Sequence, residues 1–129
     1  MKLEGFGIFV SDMPAMIRFY RDVLGFAIRE AEDTNNVYLE KDGTLFLFYG
    51  RDAIQNMTGT RMQFAQGISG HFEVALGVEN FAAVDREYAR ALSLGAAKVM
   101  APATQTWGQR TCYIADPEGN LVEIGSFVA

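Results

Sequence analysis

The alternation of apolar and polar residues predicts that the chain consists of two similar halves. In the first half it predicts four strands, over 3–10, 26–30, 36–40 and 44–49. Apolar residues at helical spacing predict one helix, over 13–24. In the second half the pattern predicts strands over 71–78, 98–100, 110–115 and 121–127, and a helix after Asn80. Each half therefore reads as β-α-β-β-β.

Residues with strong local preferences support these boundaries. Ser11-Asp12-Met13-Pro14 provides a capping oxygen and a first-turn proline for the first helix, and Gly25 ends it. The segment 116–120, Asp-Pro-Glu-Gly-Asn, is typical of a tight turn and predicts a hairpin between the last two strands. Between the halves, 51–70 looks irregular, and it is either a simple connector or a lid over a binding site.

Composition limits the class of protein. A chain of 129 residues, half of them hydrophobic, is expected to form a single domain over 1–129, with modules at about 1–50 and 71–129. A net charge of −5 without a basic run argues against nucleic acid. The absence of a leader and of an apolar run of roughly 20 residues predicts a soluble, cytoplasmic protein without a membrane partner. The lone Cys112 is expected to be a small buried hydrophobe.

The two halves align as a weak internal repeat. Val10-Ser11-Asp12 falls on Val78-Glu79-Asn80, and Tyr20 falls on Tyr88. In this alignment Gly5 corresponds to Glu73. In the last strand of each half, Leu47 corresponds to Glu123.

Two motifs carry a resemblance to a known family. Residues 19–26, Phe-Tyr-Arg-Asp-Val-Leu-Gly-Phe, and residues 116–124, Asp-Pro-Glu-Gly-Asn-Leu-Val-Glu-Ile, resemble the vicinal oxygen chelate superfamily. It includes glyoxalase I, bleomycin-resistance proteins and extradiol dioxygenases. The resemblance implies an α+β fold of two tandem β-α-β-β-β modules, whose curled mixed sheets form a cavity. It also implies a homodimer.

In the enzymes of this family, four side chains typically hold a divalent metal. Carried over, these positions are Gly5, Leu47, Glu73 and Glu123, and the first two have no ligand atom. An extradiol dioxygenase, which needs two histidines and a carboxylate, is disfavoured because His71 is the only histidine. A glyoxalase-type site with Zn, Ni or Mn would need Glu73, Glu123 and His71 together, although His71 is displaced by about 6.6 Å along its strand. No metal or other cofactor is the first expectation.

The remaining candidates would line a ligand pocket. Leu47 and Tyr49 share one strand face, and Gly5 would leave an open floor opposite them. Trp107 could stack on a flat ligand or cover the sheet edge. In the connector, Met57 and Phe64 could close over a cavity or pack against it.

The two glutamates leave several interpretations open. They could bind a cationic ligand, act as acid and base, or lie at a wet cavity mouth beside Arg110 or Arg61. The first hypothesis is a metal-independent protein that sequesters an apolar or aromatic small molecule, including one with a cationic group, as bleomycin-resistance proteins do. The alternative is a lyase or isomerase of glyoxalase type that uses Glu73 and Glu123 as metal ligands or as acid/base residues. Module-mediated dimerisation alone has no specific support.

Overall fold

The computed structural model describes all 129 residues, Met1–Ala129. It contains seven strands: β1 Gly5–Val10, β2 Asn36–Lys41, β3 Thr44–Gly50, β4 Ser69–Gly77, β5 Ala97–Thr104, β6 Arg110–Ala115 and β7 Asn120–Ser126. It contains three α-helices: α1 Met13–Arg18, α2 Arg51–Thr58 and α3 Phe81–Ser93. The chain forms two compact units, Met1–Phe64 and Ala65–Ala129. No helix has the length and hydropathy needed to cross a bilayer.

The first unit is a three-stranded mixed sheet with strand order β1-β3-β2. The strands β1 and β3 are parallel, in the register Gly5↔Leu45, and β2 is antiparallel to β3. Its core is aromatic: Tyr20 is fully buried, and its ring centroid lies 5.0–5.5 Å from those of Phe26, Phe46 and Phe48. The pairs with Phe26 and Phe48 are edge-on, and such pairs add to the burial energy.

The first helix begins as the sequence predicts. The Asp12 carboxylate accepts a hydrogen bond from the Ala15 N–H at 3.1 Å, and Pro14 occupies the first turn. From Phe19–Val23 the helix continues with π-helical geometry, and the Leu24 N–H donates to the Phe19 carbonyl. Gly25 follows with φ of +74° and ends it, as expected.

The strand predicted over 26–30 does not form. Phe26 and Ile28 are buried and Ala27 and Arg29 are exposed, so the alternation is real. However, the backbone N–H of Tyr38 in β2 donates to the Glu30 side chain at 3.0 Å, where a neighbouring strand would offer its backbone carbonyl. This segment is therefore extended without a ladder.

The prediction of an irregular connector is wrong for residues 51–58, which form α2. The helix ends at Gly59, whose φ is +67°. The following loop is tied back to the helix, since the Met62 N–H donates to the Gln55 side chain at 2.9 Å. The Arg51 guanidinium lies 4.5 Å from the centroid of the Phe64 ring. These contacts keep residues 59–64 close to α2.

The second unit is a four-stranded mixed sheet with strand order β4-β7-β6-β5, in which β4 and β7 are parallel. The helix α3 packs on β5, β6 and β7. The helix begins at the predicted cap, because the Asn80 side chain accepts a hydrogen bond from the Ala83 N–H at 2.9 Å. Cys112 is fully buried in this core, as predicted, and burial raises the pKa of its thiol to about 11.

The predicted hairpin joins β6 to β7. The Asp116 carboxylate accepts hydrogen bonds from the N–H groups of Glu118, at 2.9 Å, and Asn120, at 3.0 Å. The strand predicted over 98–100 is longer than expected, since β5 runs on through Pro102. An edge strand tolerates proline, because its outer N–H groups have no ladder partner to lose. The α+β class with two mixed sheets is therefore confirmed.

Candidate ligand-binding site

One face of the second unit's sheet carries both predicted glutamates. Strand alternation places the residues on this face opposite the buried Val122 and Ile124. In register, Glu123 on β7 lies between Ala75 on β4 and Tyr113 on β6. Other side chains of this face come from the same strands, namely Glu73, Leu121 and Thr111.

Glu123 is held through one of its two oxygens. Its Oε1 accepts hydrogen bonds from Thr111 Oγ1 at 2.8 Å and from Gln109 Nε2 at 3.0 Å. No hydrogen bond reaches Oε2, and Glu123 forms no ion pair with any lysine or arginine. The ion pair considered for Arg110 is not formed, because Arg110 binds Asp85 on α3 at 2.7 Å. The half-buried carboxylate of Glu123 is thus held in place by hydrogen bonds but has no cationic partner.

Gln109 connects Glu123 to Trp107. The indole Nε1 donates to Gln109 Oε1 at 3.0 Å, which fixes the amide so that its NH2 group points at Glu123. Gly125 makes room for this arrangement, since a Cβ at Gly125 would lie 2.6 Å from Gln109 Nε2. Although 63% exposed, the Trp107 side chain is therefore held by a specific hydrogen bond.

Glu73 has a different partner. The Tyr113 hydroxyl donates to Glu73 Oε2 at 2.8 Å. Burial, this hydrogen bond and the negative charges of Glu123 and Glu73 raise the pKa of Tyr113 to about 12. Glu73 pairs with Leu121 in the ladder, two residues before Glu123, so the two glutamates are offset by roughly 6.6 Å along the strands.

A pocket of about 400 Å³ lies next to Glu123. Its wall is formed by the end of β4, by β7 and by the C-terminal segment, and it includes Ala75, Val78, Phe127 and Val128. Glu123 and Gln109 are its principal polar side chains. This combination of apolar walls and a few fixed polar groups is typical of small-molecule sites.

The donor set does not fit a divalent metal. His71 lies in the irregular part of β4, where the ladder register shifts between Ser69 and Glu73, and it is exposed. No group of three or more His, Cys, Asp or Glu side chains is arranged to hold a metal ion, so Glu73, Glu123 and His71 do not form a ligand set. Zinc sites take three or four protein ligands.

In the first unit, the floor predicted at Gly5 is not open. A Cβ there would lie 2.6 Å from the Leu45 carbonyl oxygen and 2.7 Å from Leu45 Cβ, and a Cβ at Gly7 would lie 2.8 Å from Leu47 Cδ1, so atoms of these leucines already cover both glycines. Leu47 and Tyr49 are half-buried on the face away from the aromatic core.

The two connector candidates have different surroundings. Met57 is 68% exposed at the end of α2. Phe64 packs under Arg51. Neither contact indicates a lid, and of the predicted site residues only Glu123 and Trp107 share a hydrogen-bond partner, which is Gln109.

Four residues of the site were not anticipated: Gln109, Thr111, Tyr113 and Gly125. If residues are paired outward from the predicted turn, Tyr113 lies opposite Glu123 and Thr111 lies opposite Gly125, as the ladder shows. The hairpin prediction therefore contained the signal for three of them. Gln109 lies before β6, and only its side-chain contacts reveal it.

The profile of the Glyoxalase/Bleomycin resistance protein/Dioxygenase superfamily matches residues 2–124. The chain belongs to this superfamily. No curated protein matches the sequence significantly.

Solved structures of the superfamily share the fold. A glyoxalase/bleomycin resistance protein/dioxygenase family enzyme from Burkholderia phytofirmans PsJN is 26% identical, with a TM-score of 0.83 and coverage of 99% of this chain and 100% of that one. A glyoxalase-related enzyme from Fulvimarina pelagi is 19% identical, with a TM-score of 0.84 and coverage of 98% and 88%. A lactoylglutathione lyase from Agrobacterium tumefaciens is 22% identical, with a TM-score of 0.72 and coverage of 97% and 92%.

Proposed function

We propose that this superfamily member binds a small apolar or aromatic molecule without a metal, in the pocket beside Glu123. The observation that carries the proposal is the state of Glu123, whose carboxylate lines an apolar pocket, is fixed by Gln109 and Thr111, and has no cationic partner. A half-buried charge without a counterion is costly, and a ligand with a positive group would offset that cost. The volume is also within the usual range for small-molecule sites, about 300–1,000 Å³.

The vacant ligand positions support metal-independent binding. Gly5 and Leu47 have no side-chain donor atom, and one oxygen of each surviving glutamate already accepts hydrogen bonds from the protein. Coordination of a metal by Glu123 Oε1 would compete with two existing donors. The donor set therefore favours an organic ligand.

A glyoxalase-type lyase or isomerase is the second candidate. Glu123 retains a free oxygen that could remove a proton next to a carbonyl, and Tyr113, whose hydroxyl donates to Glu73, lies across the ladder from it. Two neighbouring carboxylates without a cation would, however, oppose the enolate that such a reaction forms. Glu123→Gln should abolish turnover of a hemithioacetal assayed with added Zn²⁺ or Ni²⁺, and unchanged turnover would remove this candidate.

Thermal melts with a panel of aromatic and amphipathic compounds test the binding proposal. Compounds that bind should raise the melting temperature equally with and without EDTA, since no metal takes part. Trp107→Ala should weaken their binding, because it removes the indole that orients Gln109. If confirmed ligands bind Trp107→Ala unchanged, the pocket has been assigned to the wrong residues.

We infer from the family that the protein acts in the cytoplasm as a homodimer and that its two modules arose by an internal repeat. The common register supports the repeat, because Gly5 pairs with Leu45 as Glu73 pairs with Leu121. Light scattering after size exclusion tests the dimer, and a monomer at all concentrations would contradict it.

A further inference from the structure

The two glutamates of the site differ from three other acidic side chains of the second unit. Glu79, Glu87 and Asp85 each form an ion pair with an arginine. Glu73 and Glu123 form none, and each has one oxygen that accepts no hydrogen bond from the protein. Glu73 and Glu123 thus carry charge that no lysine or arginine offsets, on the face that borders the pocket.

The geometry at Glu123 also limits how a cation can bind. A carboxylate oxygen has two lone pairs in its plane, and those of Oε1 are directed to Thr111 and Gln109. A guanidinium forms its strongest pair by donating to both oxygens of one carboxylate at once. That fork cannot form at Glu123, because one of the two oxygens is already saturated. A single donor can still reach Oε2.

We propose that the ligand of this site carries a protonated primary amine on an apolar body, and that Gln109 and Thr111 select the amine over a guanidinium by occupying one oxygen of Glu123. This inference rests on the proposed function, because it concerns the ligand of the same pocket. A quaternary ammonium has no N–H to donate, so it gains only the charge attraction. A neutral alcohol gains the hydrogen bond without the charge.

A substitution at Gly125 can displace Gln109 from Glu123. Its backbone is not in the left-handed region, so Gly125→Ala introduces no backbone strain, but the new Cβ would lie 2.6 Å from Gln109 Nε2. The flexible end of Gln109 must then move away from Glu123, which frees a lone pair on Oε1. Gln109→Leu removes the same hydrogen bond by another route. Both variants should therefore accept a guanidinium better than the wild type does.

The probes are 2-phenylethylamine, its N-trimethylated analogue, benzylguanidine and 2-phenylethanol, titrated in EDTA and followed by ¹H–¹⁵N NMR. The amine should bind about tenfold or more tightly than the alcohol and the trimethylated analogue, since a charge-assisted hydrogen bond is roughly twice as strong as a neutral one. It should also bind more tightly than benzylguanidine, because the guanidinium is limited to one hydrogen bond at Oε2 and cannot form its fork. Glu123→Gln should reduce the affinity for the amine to that for the alcohol. Glu79→Gln, whose carboxylate pairs with Arg86, is the matched control and should bind the amine normally.

The outcomes separate the inference from the proposed function. In Gly125→Ala and Gln109→Leu, benzylguanidine should gain about threefold or more relative to the amine, which confirms the role of Gln109. Equal affinities for the amine, the alcohol and the trimethylated analogue in the wild type would overturn the inference while leaving a binding pocket in place. Preference for benzylguanidine in the wild type would also overturn it. Failure of all four probes to perturb residues around the pocket would overturn both proposals.

Discussion

Replacement of Gly119 by alanine is expected to destabilise the second unit far more than an ordinary turn substitution. Gly119 has φ of +86°, and a Cβ there would lie 1.8 Å from the Gly67 carbonyl oxygen and 2.6 Å from its carbon. Both obstacles are backbone atoms, so no side chain can rotate to make room. The backbone at 67–68 must move away from the hairpin turn.

The magnitude follows from two contributions. A non-glycine residue at positive φ costs about 1–2 kcal/mol. Moving the segment 67–68 also breaks the hydrogen bond from the Ser69 N–H to the Gly119 carbonyl, which measures 2.8 Å, and this adds about 1 kcal/mol or more. The expected loss is therefore about 2–4 kcal/mol.

Gly95→Ala is the matched control. Gly95 has φ of +94°, and a Cβ there would meet nothing within 4 Å, so only the backbone strain of about 1–2 kcal/mol applies. Urea unfolding of both variants, followed by circular dichroism, measures the two losses. Equal losses would refute the argument, because they would show that the contact with Gly67 imposes no constraint on the turn.

Three further predictions concern single groups. Tyr113 should titrate near pH 12 in ultraviolet difference spectra, and Glu73→Gln should lower the pKa of Tyr113. Because the pKa of Tyr113 in the folded state lies above the unfolded value near 10, its contribution to stability is intact below pH 10 and declines as pH rises towards 12. Tyr88→Phe should leave the free energy of unfolding unchanged or raise it by up to about 1 kcal/mol, since the buried hydroxyl has no hydrogen-bond partner, and a clear loss would contradict this. Asn80→Ala should lose about 1 kcal/mol with the cap to Ala83, and an unchanged urea midpoint would show that the cap is not stabilising.

Local chemistry explains why much of the fold was predictable. The turn at 116–120 and the cap at Asn80 depend on side chains that bond their own neighbouring backbone, so short stretches of sequence determine them. The parallel pairing of first and last strands in each unit is consistent with the family resemblance.

The predictions were wrong where the pattern of apolar and polar residues does not determine what a segment packs against or pairs with. Residues 26–30 alternate between buried and exposed side chains, as a strand does. However, the N–H of Tyr38 donates to the Glu30 side chain and not to the backbone carbonyl of a neighbouring strand. The helix α2 buries only Ile54 among its eight residues, so its apolar stripe is too narrow to read from sequence. In both cases tertiary contacts decided the outcome.

The candidate site was also predictable only in part from the sequence. The repeat pointed to Glu73 and Glu123, but it contained nothing about which oxygen of Glu123 stays free. That property depends on Gln109 reaching over Gly125, a contact that requires the register of the hairpin and a side-chain rotamer together. The expected open floor at Gly5 was wrong because the neighbouring Leu45 side chain fills it.

We expect Glu123 to bind an organic ligand without a metal. The most direct test of this expectation is calorimetric titration of 2-phenylethylamine into the wild type and Glu123→Gln, each first freed of metal with EDTA and then supplied with Zn²⁺ or Ni²⁺. The wild type should bind the amine equally in EDTA and with metal, and Glu123→Gln should bind it at least about tenfold more weakly. Stoichiometric metal uptake that Glu123→Gln abolishes, together with ligand binding only in the presence of that metal, would contradict this expectation.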